Sequence, residues 1–206
     1  MRGLYVITQA HVHDPETLAS QVEAAIDGGA SWVQFRHKGT DSGRARELAD
    51  AVLAICQSKH IPVLINDSAA LAKETGADGV HLGQTDGSIL EARQLLGPKA
   101  TIGRTCHGSE SLMQAAVDEG ATYCAFGRLF QSSTKPDAAG LSLDALQCLV
   151  AACPIPVVAI GGIDHHNAPR VLETGVAAIA VSGAVFDTPD ISAACHRLAQ
   201  LFKETA

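Results

Sequence analysis

The sequence predicts an α/β protein of the (β/α)8 class, a TIM barrel, formed as one domain over residues 1–206. Three observations support this prediction. Short apolar segments alternate with amphipathic segments of about ten to fifteen residues, which is typical of βαβ units and a parallel sheet. This alternation accounts for eight strands. The strands are rich in β-branched residues, as expected when both faces of a sheet are buried.

Glycines mark the ends of every second predicted helix. A glycine directly after a helix is a common stop signal because it adopts positive φ at low cost. Four such glycines precede apolar strands at intervals of 44 to 55 residues: Gly29-Ala30, Gly76-Ala77, Gly120-Ala121 and Gly175-Val176. The other four predicted strands are Leu4–Ile7, Ile61–Ile65, Ala100–Gly103 and Ile155–Ile160. One helix start is also marked, by Asp14 as the cap and Pro15 in the first turn.

An open, doubly wound sheet is the alternative architecture. Such sheets bind dinucleotides through a Gly-x-Gly-x-x-Gly turn after a strand, and no predicted strand here is followed by that motif. The chain also shows no linker or low-complexity segment that would indicate a second domain. These absences favour the closed barrel.

Composition and charge exclude several classes of function. The chain has 47% hydrophobic and 18% charged residues, as a globular protein does, and its net charge is −7. Such an acidic chain is not expected to bind nucleic acid or a membrane surface. No apolar run approaches the roughly 20 residues that span a membrane. The expected partners are therefore small molecules.

The cysteines indicate a reducing compartment. All six lie inside apolar patterns without paired Cys-x-x-Cys spacing, which is typical of reduced core thiols. The first residues turn polar too early for a signal peptide, so we expect a cytoplasmic protein. No pattern in the sequence indicates the oligomeric state, and a homodimer remains open.

Polar residues cluster where the predicted strands end, which is where the active site of this fold lies. Strand 2 ends with Gln34, Arg36 and Lys38, and strand alternation places these two cations and the amide on one side. Two cations with an amide suit a diphosphate. Strands 3 and 4 end with Asp67 and Asp86, two carboxylates on neighbouring strands. Together with phosphate oxygens of a substrate, they form a predicted Mg²⁺ site.

Each of these aspartates also has a purely structural alternative. Asp67 and Asp86 both precede a predicted helix, and aspartate at that place commonly caps the helix. Taken one at a time, the two acids fit either interpretation. The cations on the neighbouring strand favour the metal site.

Two further features indicate phosphate binding. The glycine-rich turns after strands 7 and 8, Gly161-Gly162 and Ser182-Gly183, offer backbone N–H groups to an anion. The loop Ser132–Lys135 after strand 6 places three hydroxyls and a lysine within four positions. A monophosphate cup, a basic diphosphate patch and a metal site together suggest that two phosphorylated substrates are joined with loss of diphosphate.

The motifs at these strand ends resemble those of the thiamine phosphate synthase family over the whole chain. Their order and spacing are far more specific than any one of them alone. The matching motifs are Leu4–Thr8, Gln34–Lys38, Ile65–Asp67, Val80–Asp86, Ser132–Lys135 and Ala159–Ile163. The resemblance implies a transferase that condenses 4-amino-2-methyl-5-hydroxymethylpyrimidine diphosphate with (carboxy)hydroxyethylthiazole phosphate. The products would be thiamine phosphate and diphosphate, in thiamine biosynthesis.

The same resemblance implies roles for individual residues. The pyrimidine diphosphate would be held by Gln34, Arg36, Lys38, Asn66, Thr105 and Lys135. The catalytic cations would be Lys135, Arg36 and Lys38. The Mg²⁺ ion would be held by Asp67 and Asp86. The thiazole phosphate would be held by Ser132, Thr134, Gly162, Ser182 and Gly183.

The sequence departs from the family pattern at several positions. Gln9 stands where the family usually has an aspartate, His37 where it has an acid, and Arg128 where proline is frequent. Ser132 replaces a threonine, and the pair Ser182-Gly183 also differs from the commoner one. A cup of backbone N–H groups tolerates such side-chain changes, so the prediction of phosphate binding stands.

Two rivals to the synthase are considered. A thiazole tautomerase on the same barrel would use a catalytic histidine, and His107 in the motif Gly103–His107 is the candidate. That enzyme would need neither the two metal acids nor the loop Ser132–Lys135, so their presence favours the synthase. The second rival is a non-catalytic barrel that binds a phosphorylated ligand, from which only turnover distinguishes an enzyme.

Overall fold

The computed structural model describes residues 1–130 and 140–204, in which eight parallel strands close into a barrel. The strands are β1 Gly3–Ile7, β2 Trp32–Phe35, β3 Val63–Asn66, β4 Gly79–Leu82, β5 Thr101–His107, β6 Tyr123–Phe126, β7 Val157–Ile160 and β8 Ala178–Val181. Each strand pairs with the next along the chain, and β8 pairs with β1 from Gly3 opposite Ala178. The predicted barrel is therefore confirmed, and the open sheet is excluded.

Helices surround the barrel. They are α1 Pro15–Asp27, α2 Ser42–Ser58, α3 Ala69–Thr75, α4 Ile89–Leu96, α5 Glu110–Asp118, α6 Leu143–Ala152, α7 Ala168–Leu172, α8 Gly183–Phe186 and α9 Ile191–Glu204. None of these helices in the described part of the chain is long and apolar enough to cross a membrane.

The predicted stop and start signals act as expected. The glycines that precede four strands all have positive φ: Gly29 105°, Gly76 71°, Gly120 85° and Gly175 85°. Asp14 caps α1 by accepting a 2.8 Å hydrogen bond from the backbone N–H of Thr17, and Pro15 is the first helical residue. These local signals are confirmed because each meets a backbone requirement that depends on few neighbours.

Three strand boundaries differ from the prediction by two residues or more. Strands β3 and β7 begin two residues later, directly after Pro62 and Pro156, because proline has no N–H to donate to a neighbouring strand. Strand β5 extends to His107, where a bulge after Thr105 keeps it paired with Phe126 of β6. Thr105 therefore lies within a strand and not in the following loop.

The core forms two layers. The larger layer lies between the barrel and the helices, and the smaller one fills the barrel interior. Tyr5 and Tyr123 are the largest fully buried side chains of the interior layer. Gly103 makes room for this packing, because a Cβ at that position would lie 2.0 Å from the ring of Tyr123. Small side chains such as Ala125 and Ala180 leave a cavity above the tyrosines.

Candidate active site

Two adjacent cavities lie at the C-terminal ends of the strands. The larger, of about 690 Å³, lies next to the ends of β1, β7 and β8, and the smaller, of about 170 Å³, enters the barrel interior. Both are lined by Ile7, Arg36, Ile160 and Ala180. The shared wall means that ligands in the two cavities would lie side by side.

The smaller cavity collects most of the residues predicted to hold the pyrimidine diphosphate. Its lining includes Gln34, Arg36, Asn66, Asp67 and Thr105. The predicted set is thus brought together from β2, β3 and β5, because the carboxyl ends of parallel strands meet at one end of a barrel.

The two basic side chains of this group differ in their partners. Lys38 is half exposed and its Nζ lies 2.8 Å from Oδ2 of Asp67. Arg36 lines both cavities, and within the described residues its guanidinium makes no hydrogen bond or ion pair. Its backbone is held in place, since the Arg36 N–H donates to Thr8 Oγ1 at 2.9 Å. Arg36 therefore presents an uncommitted positive charge between the cavities.

Neither Asp67 nor Asp86 caps a helix. The cap of α3 is Ser68, which accepts from the N–H of Leu71, and the cap of α4 is Ser88, which forms a capping box with Glu91. The structural alternative for the two aspartates is therefore wrong. Asp67 has a φ of 66°, a conformation that Asp and Asn adopt more readily than most residues.

The two carboxyl groups are close enough for each to shift the pKa of the other. Partial burial and the adjacent Asp67 carboxyl raise the pKa of Asp86 above its ordinary value. Burial acts in the same direction on Asp67, but the hydrogen bonds with Lys38 and Asp86 outweigh it and lower the pKa of Asp67. A divalent cation between the two groups would relieve this repulsion, and carboxylate oxygens are the ligands that Mg²⁺ prefers.

The acids alone do not complete a metal site. Within residues 1–130 and 140–204, no group of three or more His, Cys, Asp or Glu is placed to hold a metal ion. Asp86 also commits Oδ2 to the backbone N–H of Gly83 at 2.9 Å. The donor set fits a Mg²⁺ ion that takes its remaining ligands from water and from a bound diphosphate.

The larger cavity contains the predicted phosphate cup. It is lined by Gly161, Gly162, Ser182 and Gly183, at the ends of β7 and β8. Gly161 and Gly162 have φ of 106° and 66°. A Cβ at Gly161 would lie 2.6 Å from the Cα of Arg128, so glycine is required there. The glycines of these turns have only backbone to present to the cavity.

Several residues of the larger cavity were given no role from the sequence. Gln9, His11, Asp164 and Asp187 also line it. Gln9 Nε2 donates to Asp187 Oδ1 at 2.5 Å, which joins the segment after β1 to the end of α8. These two residues are 178 positions apart, and no sequence pattern relates them.

The remaining predicted residues divide into two groups. Ser132, Thr134 and Lys135 lie outside the described residues. His107 is exposed, ends β5 and lines neither of the two cavities. The helix that follows it, α5, begins at Glu110 after its cap Ser109.

A series of hydrogen-bonded polar side chains crosses the barrel interior beneath the smaller cavity. Gln34 Nε2 donates to the Tyr5 hydroxyl at 2.7 Å, and the Tyr5 and Tyr123 hydroxyls are 3.2 Å apart. His81 Nδ1 lies 2.7 Å from the Tyr123 hydroxyl, and His81 Nε2 lies 2.8 Å from Thr105 Oγ1. Burial lowers the pKa of His81 to about 4, so the ring is neutral at pH 7.

The comparisons with known proteins identify the family. The family model described as thiamine monophosphate synthase matches residues 4–185. The chain belongs to this family. It is 44% identical over 196 residues to the thiamine-phosphate synthase of Saccharophagus degradans, covering 93% of this chain and 90% of that protein. It is also 44% identical over 202 residues to the thiamine-phosphate synthase of Nitrosococcus oceani, covering 98% of this chain and 93% of that protein.

A solved structure of the same family has the same architecture. The thiamine phosphate pyrophosphorylase of Pyrococcus furiosus superposes with a TM-score of 0.88 at 33% identity, covering 98% of this chain and 96% of that one. The resemblance of the strand-end motifs to the thiamine phosphate synthase family is therefore confirmed.

Proposed function

We propose that this thiamine phosphate synthase binds the pyrimidine diphosphate in the smaller cavity and the thiazole phosphate in the larger one. The observation that carries the proposal is the shared wall of the two cavities, which contains Arg36, a cation whose guanidinium has no partner among residues 1–130 and 140–204. A condensation needs its two substrates side by side, with a positive charge near the leaving group. The family assigns the reaction, and the cavities supply the arrangement.

The chemistry is a substitution at the exocyclic methylene of the pyrimidine. The bond from this carbon to the diphosphate oxygen breaks, the electron-rich aminopyrimidine shares the positive charge, and the thiazole nitrogen forms the new bond. No strong general base is required. The demands are alignment of the two rings and stabilisation of the negative charge that leaves with the diphosphate.

The chain meets the second demand with its cations. Arg36 lines the smaller cavity, Lys38 lies beside it in an ion pair with Asp67, and the resemblance adds Lys135 from outside the described residues. Mg²⁺, when held by Asp67 and Asp86, would supply further neutralisation of the diphosphate charge. Gly162, Ser182 and Gly183 would hold the thiazole phosphate through backbone N–H groups.

The tautomerase alternative has less support. Its candidate histidine, His107, is exposed and lines neither of the two cavities. A proton-transfer residue needs to reach the substrate within hydrogen-bond distance. We therefore assign His107 no role in the chemical step.

We also propose that the protein acts in the cytoplasm. All six cysteines, five of which are buried or partly buried, are free thiols. Reduced thiols in this number are typical of proteins in a reducing compartment.

An assay of diphosphate release tests the proposed function. Purified protein is incubated with both substrates, with each substrate alone, and with or without Mg²⁺. The synthase is expected to release diphosphate together with thiamine phosphate, and to need the metal. Ligand binding without release of diphosphate would support the non-catalytic barrel, and isomerisation of the thiazole alone would support the tautomerase.

A further inference from the structure

Thr8 is a buried polar residue at the end of β1 that lines neither of the two strand-end cavities. Only 1% of it is exposed. A buried hydroxyl is costly unless it is hydrogen-bonded, so its partners indicate what it does. Thr8 Oγ1 accepts a hydrogen bond from the backbone N–H of Arg36 at 2.9 Å, and it donates a longer one to the Arg36 carbonyl at 3.5 Å. Both side-chain contacts thus hold the backbone of one residue.

The shorter of these hydrogen bonds takes the place of a main-chain bond between β1 and β2. The Thr8 N–H donates to the Gln34 carbonyl at 2.9 Å, as the pairing of Ile7 with Gln34 requires. In a parallel ladder the next bond would run from the Arg36 N–H to the Thr8 carbonyl. The Thr8 hydroxyl accepts that bond instead. The chain after β1 is therefore free to turn into Gln9 and the wall of the larger cavity, while Arg36 stays attached.

Arg36 depends on this attachment because its side chain has no other anchor. Among residues 1–130 and 140–204, its guanidinium makes no hydrogen bond or ion pair, although it lies on the wall that the two cavities share. A cation that stabilises a leaving group acts best when it is fixed in advance, and a misplacement of about 1 Å can cost about 10²-fold in rate. The backbone of Arg36 is where the fold supplies that fixation.

We propose that Thr8 is a positioning residue for the reaction: its hydroxyl holds Arg36 between the two cavities, where the guanidinium meets the departing diphosphate. This inference rests on the proposed function of the site. Thr8 lines neither cavity and acts only through Arg36. A hydroxyl suits the task because it accepts one hydrogen bond and donates another from a single oxygen.

The first test measures the attachment without substrates, by NMR-detected hydrogen exchange of backbone amides. Thr8→Val keeps nearly the same shape and removes the acceptor for the Arg36 N–H. The Arg36 amide is expected to exchange about fivefold faster or more, relative to the Val33 amide in the same protein. Val33 is the internal reference because its N–H donates to the carbonyl of Pro62 at 3.1 Å, away from Thr8.

Thr174→Val is the matched control for the loss of a buried hydroxyl. Thr174 is also buried, and its Oγ1 donates to the carbonyl of Val171 at 2.6 Å. It follows α7 at the opposite end of the barrel and lines neither strand-end cavity. Thr174→Val should lower stability in a similar way and leave the ratio of Arg36 to Val33 exchange unchanged.

The second test is a double-mutant cycle, with the rate measured as thiamine phosphate formed. Thr8→Val should lower kcat by about tenfold, while the KM of each substrate changes by about twofold or less, since the charge that Arg36 meets grows in the transition state. Thr8→Ser keeps the hydroxyl and should recover most of the lost rate. In an Arg36→Met background, Thr8→Val should cause no further loss, because the residue through which it acts is gone. Thr174→Val should leave kcat unchanged in both backgrounds.

The possible results separate the inference from the proposed function. A wild-type Arg36 amide that exchanges as fast as an unbonded amide would overturn the inference while the synthase assignment stands. So would a Thr8→Val loss of equal size with and without Arg36. If the wild type forms no thiamine phosphate from its two substrates, the proposed function fails and the role of Thr8 fails with it. Should Thr8→Val not fold, Thr8→Ala removes the same hydroxyl and replaces it in both tests.

Discussion

At the strand ends of this barrel, some residues cap the following helix and others are left available for chemistry. Ser68 and Ser88 cap the helices that follow β3 and β4, so Asp67 and Asp86 are free of that task. Both acids instead face each other beside Lys38, at a cost in electrostatic repulsion. Residues that are kept in such an arrangement are candidates for function.

The first prediction compares Asp67→Asn with Ser68→Ala. Asparagine tolerates the positive φ of position 67, so Asp67→Asn should change the melting temperature little. It should lower the rate of diphosphate release by about 10²-fold or more, because a metal ligand is lost. Ser68→Ala should show the reverse, with about 1 kcal/mol of lost stability and a nearly unchanged rate. An active Asp67→Asn protein would remove Asp67 from the metal site.

The second prediction concerns Lys135, for which the sequence is the only evidence. A cation that meets the charge of a departing diphosphate contributes mainly in the transition state. Lys135→Ala should therefore lower kcat by about 10³-fold while the KM of each substrate changes far less. His107→Ala should leave kcat close to that of the wild type, since His107 lines neither of the two cavities. Steady-state kinetics that reverse this order would favour the tautomerase.

Residues such as Gln34, Arg36 and Thr105 could be selected from the sequence because strand alternation and motif order indicate their side. The hydrogen-bonded side chains inside the barrel could not be selected in this way. Tyr5, His81 and Tyr123 each stand alone in an apolar strand, and their contact depends on barrel closure and register. A single polar residue in a buried strand carries no information about its partner on another strand.

At the scale of elements, the turns after β7 and β8 hold the cup. The third prediction compares Gly162→Val with Gly76→Val. Both glycines have a left-handed φ, 66° and 71°, so valine should cost each protein about 1–3 kcal/mol of backbone strain. Gly76 lies at the end of α3, away from the site and with no atom within 4 Å of an added Cβ. Only Gly162→Val should raise the KM of the thiazole phosphate. Equal KM values in the two variants would contradict a phosphate site at the turns after β7 and β8.

The segment between β4 and α4 carries Asp86 and is held by Arg104. This arginine is buried, and its Nη1 donates to the carbonyls of Gly83 at 2.6 Å and Gly87 at 3.1 Å, on either side of Asp86. Groups that hold a metal ligand in place commonly contribute about 10- to 100-fold to metal affinity. Arg104 therefore supports the geometry of the acid pair from outside the barrel.

The fourth prediction compares Arg104→Met with Arg93→Met. Arg93 makes similar bonds, from Nη1 to the carbonyls of Gly97 and Pro98, but at the opposite end of the barrel. Both changes should lower the melting temperature. Arg104→Met alone should raise the Mg²⁺ concentration for half-maximal activity by about tenfold. An equal metal requirement in the two variants would show that Arg104 contributes only to stability.

Element boundaries were predictable where one residue determines them and less so where pairing does. Glycines with positive φ and the Asp14 cap could be identified from the sequence alone. The prolines before β3 and β7 also carried a usable signal, because proline lacks an N–H and the strand begins at the residue that follows it. The length of β5 depends on its pairing with β6, which no local pattern contains.

At the scale of the whole molecule, barrel closure produces the site. The predicted pyrimidine set comes mainly from β2 to β5 and the thiazole set mainly from β7 and β8, and the pairing of β8 with β1 brings the ends of β7 and β8 round towards the end of β2. Arg36 of the segment after β2 thereby reaches the cavity formed by the ends of β7 and β8. The central claim is that the two cavities hold the two halves of one product.

A crystal structure with thiamine phosphate, diphosphate and Mg²⁺ bound tests this claim most directly. The account predicts the pyrimidine ring in the smaller cavity, in contact with Gln34 and Thr105, and the thiazole phosphate on the backbone of Gly162, Ser182 and Gly183. Arg36 should contact the diphosphate between them. A product bound with its pyrimidine in the larger cavity, or outside both cavities, would contradict the account.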